Sequence, residues 1–180
     1  DILRGRRLST DVPPDMWLHV VLAALTHAIG YLRGICRGDT EHRFVANEQG
    51  DMIELPRGAS AAALAPYHVD RSKICVRERF TFNPLVEPDR LARNIELTRF
   101  PVPDDEDHAA TDTEAAFVRA ADLIGQLGDP LYPRKLNALF HEFEEIGFNK
   151  LLGYATPAVV ADHYPRFFWS KVEPFLGEAV

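Results

Sequence analysis

Three short stretches of the chain carry side chains whose types and spacing could do chemistry. In LTHAIGYLRG, Leu25 to Gly34, His27 stands near the end of an apolar helical run. In YHVDRSK, Tyr67 to Lys73, the residues His68, Asp70, Arg71 and Lys73 crowd into one turn or so of a mostly apolar helix. In FVRAADLIGQLGDP, Phe117 to Pro130, Asp122 is set among Ala120, Ala121, Leu123 and Ile124. Imidazole and carboxylate are natural ligands for Zn, Mn or Fe. Arginine and lysine suit a phosphate.

Each stretch also has a plain reading. A lone histidine on an apolar helix is usually a core or edge residue with one hydrogen bond, and charges on one helix turn are often a solvated face. Asp122 is the sharpest anomaly. Aspartate is a poor interior helix former, and a buried carboxylate must be paired, hydrogen-bonded or metal-bound. Its small neighbours would let another helix come close.

The elements that must position these residues are mainly helical. Pro13 and Pro14 open a helix at its first turn that runs to about Ile29, with Trp17, Val20, Val21, Ala24, Leu25 and Ala28 as its apolar face. RFVANEQGDMIEL, Arg43 to Leu55, alternates weakly around Gln49-Gly50-Asp51 and reads as a short hairpin. Ser60 to Phe82 reads as one long helix, kinked or broken at Pro66. Further helices are expected over Pro88 to Phe100, from Thr113 as N-cap through Leu127, and over Pro133 to Ile146 with Leu136, Leu139, Phe140 and Phe143 inward. A short helix starts at Thr156-Pro157, and Tyr164 to Leu176 adds an aromatic one. Asp1 to Leu8 reads as the end of a helix. The sum is an all-α domain with at most one hairpin.

Composition narrows the function classes. The chain has 180 residues, enough for one domain with a sizeable core. Its net charge of −7 argues against a nucleic-acid face. No apolar run approaches the roughly 20 residues that span a bilayer, and no signal peptide is visible. Cys36 and Cys75 form no ligand pair, which suggests reduced thiols in a cytoplasmic protein.

Taken together, LAALTHAIGYLRG and VRAADLIGQL resemble the opening and closing motifs of the HD phosphohydrolase superfamily, nearer its cyclic-nucleotide phosphodiesterase-like branch. His68 and then NIELTRFP follow in the family's order. The likeness covers about Trp17 to Asp129 and implies an HD-domain-like helical bundle over residues 1–180, with accessory helices from 130 to 180. It implies that His27 and Asp122 are metal ligands for Mn, Mg, Fe or Zn. His68 would be a catalytic residue, and Arg33, Arg37, Arg71 and Lys73 candidates to bind a phosphate. Thr98 and Arg99 are weaker candidates of the same kind.

Two departures stand out. Ala28 occupies the place of the family's ligating aspartate, so metal is expected to be weakly bound or absent and turnover low. Its flanks keep the family's form, which favours an engineered replacement over a natural loss. The family's earlier histidine has no match either. His19 lies two turns from His27, about 12 Å along a helix axis, so the first ligand is expected upstream of Asp1. The resemblance implies a phosphohydrolase or phosphodiesterase impaired by Ala28, acting on a small phosphorylated ligand. The alternatives are a non-catalytic nucleotide- or partner-binding module on the same scaffold, and a helical domain in which His27 and Asp122 simply bond across the core. A homodimer through Phe167, Phe168, Trp169 and Phe175 is a further expectation, set against inward packing of the same rings.

Overall fold

In the computed structural model, which describes residues 1–177, the described chain is all-α with a single two-stranded hairpin. The helices are α1 (Ile2–Arg6), α2 (Pro14–Thr26), α3 (His68–Phe80), α4 (Pro88–Glu96), α5 (Glu106–Ala109), α6 (Glu114–Leu127), α7 (Tyr132–Glu145), α8 (Phe148–Leu152) and α9 (Pro157–Phe167). The strands β1 (Arg43–Val45) and β2 (Met52–Glu54) pair antiparallel with Phe44 opposite Ile53. Asn47 shapes their loop by accepting from the Gln49 and Asp51 amides, and Gly50 supplies the positive φ of 84°.

Helices α2, α3, α4 and α6 enclose the core. Val20, Ala23, Val69, Val76, Leu91, Ile95, Phe117 and Val118 form its centre. Thr113 caps α6 by accepting the Ala116 amide, and Gly128 ends it. Among the described residues no helix is long and apolar enough to cross a membrane.

Several expectations are corrected. The inward face of α2 is His19, Val20 and Ala23, while Val21 and Leu25 are 45% and 74% exposed. A polar residue turned the face: His19 Nδ1 donates to Asp15 O at 2.7 Å and Nε2 accepts the Glu87 amide at 2.9 Å. The break expected at Pro66 is there, but the part before it is a 3-10 segment (Ala61–Tyr67) rather than α-helix, with α3 following, because Pro66 brings no amide hydrogen to an α-helix. Helix α4 stops at Glu96 rather than at Phe100, because the Thr98 and Arg99 amides turn to Ile95 O and Glu96 O three residues back. The short helices α5 and α8 were not foreseen. Asp105 caps the first, and Gly147 and Gly153, both at positive φ, bracket the second.

Towards the C-terminus, Phe167 packs edge-on against Phe100 and Phe175 lies on the buried Arg119 guanidinium. Trp169 is 67% exposed. Cys36 and Cys75 are free and buried, and burial pushes the Cys36 thiol up to about 12.

Candidate functional site

Helix α2 ends at Thr26 with His27 as its C-cap, and the chain turns through Ala28 into a 3-10 turn (Ile29–Tyr31). Helix α6 runs alongside α2. Ala24 and Val118, with Ala121 and Gly125, wall a cavity of about 250 Å³ between the two helices, and His27 and Asp122 lie at it. A second, larger cavity of about 640 Å³ lies between β2, the 3-10 segment and the end of α7. None of the candidate residues lines it, so chemistry rather than size selects the smaller one.

His27 Nε2 is 3.1 Å from Asp122 Oδ1, with the side chains 21% and 13% exposed. Asp122 also accepts from Gln126 Nε2 at 2.6 Å. His27 Nδ1 is 2.8 Å from Ala24 O. Both ring nitrogens therefore face oxygen acceptors, while a neutral imidazole has a single N–H. A protonated ring donates at both nitrogens. With no ion, the hydrogen bond to Asp122 raises the His27 pKa above its usual 6.5, outweighing the opposing effect of burial.

The same geometry suits a shared ion. Two ligand atoms each about 2.1 Å from one ion, at right angles, are about 3.0 Å apart. The bond from Nδ1 to a backbone carbonyl is the usual way a ligating histidine is oriented. Among the described residues, however, no group of three or more His, Cys, Asp or Glu could hold a metal. Ala28, which stands next to His27, is exposed.

His68 opens α3. Its Nδ1 is 2.6 Å from Ala65 O, and burial lowers its pKa, so the ring is neutral, donates at Nδ1 and carries its lone pair on Nε2.

Neither His68 nor the four cations expected to bind phosphate line the cavity. Arg71 is fully buried and its five N–H groups are engaged by Gly30 O, Leu32 O, Val45 O and both carboxylate oxygens of Asp39. Lys73 is ringed by Glu48, Glu96 and Asp70 at 2.5, 2.6 and 3.2 Å. Arg37 donates to Glu78 O and Arg33 to Ala59 O. Arg99 pairs with Asp70 and Glu96, and Thr98 donates to Ile95 O. For Arg71 the expectation of a ligand contact is corrected outright, since every donor already has a protein acceptor.

Sequence reading missed what holds the site in place. Gly30 packs so closely on α3 that a Cβ there would fall 2.0 Å from His68 O. Ser72 Oγ accepts the Gly30 amide at 2.9 Å and donates to His27 O at 2.7 Å. Arg71 and Ser72 thus tie the turn after His27 to α3. Small residues at both positions were the only signal for this approach.

A family model described as Npun_R2479-like matches residues 1–180. No curated protein and no solved structure matches the chain.

Proposed function

The chain belongs to the Npun_R2479-like family, and for it we propose a metal-dependent phosphohydrolase site of the HD type, acting on a small phosphoester and impaired by Ala28. The observation that carries this reading is the His27–Asp122 pair, whose 3.1 Å separation and carbonyl-anchored imidazole match two ligands of one ion. His27 and Asp122 would hold a divalent ion. When bound, such an ion supplies a lowered water pKa and neutralises phosphoryl charge. His68, neutral with its lone pair on Nε2, is suited to accept a proton from the attacking water. Ala24, Val118 and Ala121 supply an apolar wall to the cavity.

Two protein ligands bind an ion weakly, and a methyl group at Ala28 adds neither charge nor a ligand atom. Ala28→Asp, alone and with any N-terminal extension that the gene encodes, is the direct test. Bound metal and phosphodiester hydrolysis with Mn, Mg or Fe should both rise. No gain in either sinks the reading.

A second reading has its own support. Arg33, Arg37, Arg71 and Lys73 are all held by protein acceptors away from the cavity. That favours a binding module without chemistry. It predicts partner binding that needs no metal and no phosphate and is indifferent to Ala28→Asp, measurable by calorimetry.

A further inference from the structure

The turn that follows His27 ends in an aromatic residue with no role so far. Tyr31 stacks on the His68 imidazole, with ring centroids 4.4 Å apart and planes 20° from parallel. The ring is therefore fixed in two independent ways. The hydrogen bond from Nδ1 to Ala65 O sets which edge points inward, and the phenol face sets the plane. Together they leave Nε2 a single direction. A histidine held by one bond alone could swing about its side-chain torsions.

Tyr31 itself is a poor candidate for proton transfer. Burial, with the charges of Glu142 and Asp122, pushes its hydroxyl above the ordinary phenol range, so it stays neutral. Its contribution is the ring face. The backbone brings both rings to the turn that carries His27: Gly30, three residues after it, abuts His68 O, and Ser72 one turn along α3 donates to His27 O at 2.7 Å. The backbone explains why the stack forms. Gly30, one residue earlier, lets the turn press against His68 O, which brings the Tyr31 ring over the first residue of α3.

We propose that Tyr31 is a positioning residue, which holds the His68 ring so that Nε2 is a preset proton acceptor next to the turn that carries His27. The inference rests on the hydrolytic reading of that cavity. It assigns the aromatic residue four places after His27 a role in the geometry of the reaction rather than in the core alone.

The test uses Tyr31→Phe, which keeps the face and removes the hydroxyl, and Tyr31→Leu, which removes the face and keeps bulk. Two readouts are needed. Nitrogen-resolved NMR of the His68 ring reports its tautomer, and phosphodiester hydrolysis is followed in the Ala28→Asp background. Tyr31→Phe should match its parent in both. Tyr31→Leu should lose the single Nδ1–H tautomer and lower kcat by about tenfold or more with KM little changed, the scale expected for a misplaced catalytic group. A His68 ring that keeps its single Nδ1–H tautomer in Tyr31→Leu, read from its ring nitrogen shifts, overturns the proposal whatever the activity. If Ala28→Asp itself shows no hydrolysis, the hydrolytic reading fails, and the NMR arm alone decides whether Tyr31 orients His68. Tyr31→Met serves as the second variant should the leucine form not fold.

Discussion

Arg71 and Asp39 meet side-on in a buried pair, with Nη1–Oδ1 at 3.0 Å, Nη2–Oδ2 at 2.9 Å and side chains 0% and 1% exposed. The remaining guanidinium hydrogens go to the carbonyls of Gly30, Leu32 and Val45. One side chain thus joins α3, the hairpin, the loop at Asp39 and the turn after His27. Such a charge is tolerated inside only because every donor is satisfied.

Replacing either partner should therefore unfold the protein easily. Arg71→Met leaves Asp39 buried and unpaired, at a cost of about 3–5 kcal/mol. Arg71→Lys should also be costly, since an ammonium cannot reproduce the planar five-donor fork. Chemical denaturation checks both. A lysine variant as stable as the parent would show that charge alone matters.

The pair should also set the acid limit of the fold. Burial alone would raise Asp39, but the Arg71 hydrogen bonds and the Val45 amide outweigh it and hold its pKa below 3.8. A depressed carboxylate contributes stability above its unfolded pKa and loses it as pH falls through the folded one. Asp39→Asn should lower Tm at pH 7. The gap should narrow only under strongly acidic conditions, below pH 3.8. A gap that already closes at neutral pH would contradict this.

Gly30 and Ser72 give a second structural test. Gly30→Ala places a Cβ 2.0 Å from His68 O and 2.9 Å from Arg71 Cβ, so the turn and α3 must separate. The loss should be about 1–3 kcal/mol or more, as for other overpacked sites. Ser72→Ala strands the buried Gly30 amide, at a cost of about 1–3 kcal/mol. Both variants should also alter the His27 and His68 resonances, because both loosen the same joint. Melting curves and NMR spectra together check this.

The periodic parts of the fold were legible and the joints were not. The range of α6 follows from Thr113, Gly128 and the apolar spacing between them, and Leu136, Leu139, Phe140 and Phe143 do turn inward on α7. The pairing of His27 with Asp122 was foreshadowed by an aspartate where a helix interior should not hold one. Arg71 was misread because its partners, Asp39, Gly30 and Val45, lie 26 to 41 residues away. A cation on a helix turn looks the same in sequence whether it meets water, phosphate or a distant carboxylate. The burial of His19 was equally invisible, its acceptor role depending on an amide 68 residues off.

Ala28→Asp should change chemistry without changing stability much. Ala28 is exposed at the start of the 3-10 turn, and surface substitutions away from special features usually stay within about 0.5 kcal/mol. Equal Tm values for the two forms in chelator would make any gain in bound metal a property of the site. A large loss of stability in chelator would instead place the side chain in a packed environment that the exposed alanine does not occupy.

The His27–Asp122 pair makes opposite predictions with and without metal. The carboxylate raises the His27 pKa above 6.5, so the pair's contribution is fully present below the unfolded value and is lost as pH rises through the folded one. In chelator, Asp122→Asn should therefore lower Tm most at about pH 5.5–6.5 and progressively less at alkaline pH. A metal ion competes with that proton, because a ligating imidazole must be neutral. Stabilisation by added Mn or Zn should consequently grow from pH 6 to pH 8.5 in the parent and vanish in Asp122→Asn. A Tm gap in chelator that is flat across this range would show that the pair carries no net charge interaction. A metal effect that persists in Asp122→Asn would place the ion somewhere other than between these two residues.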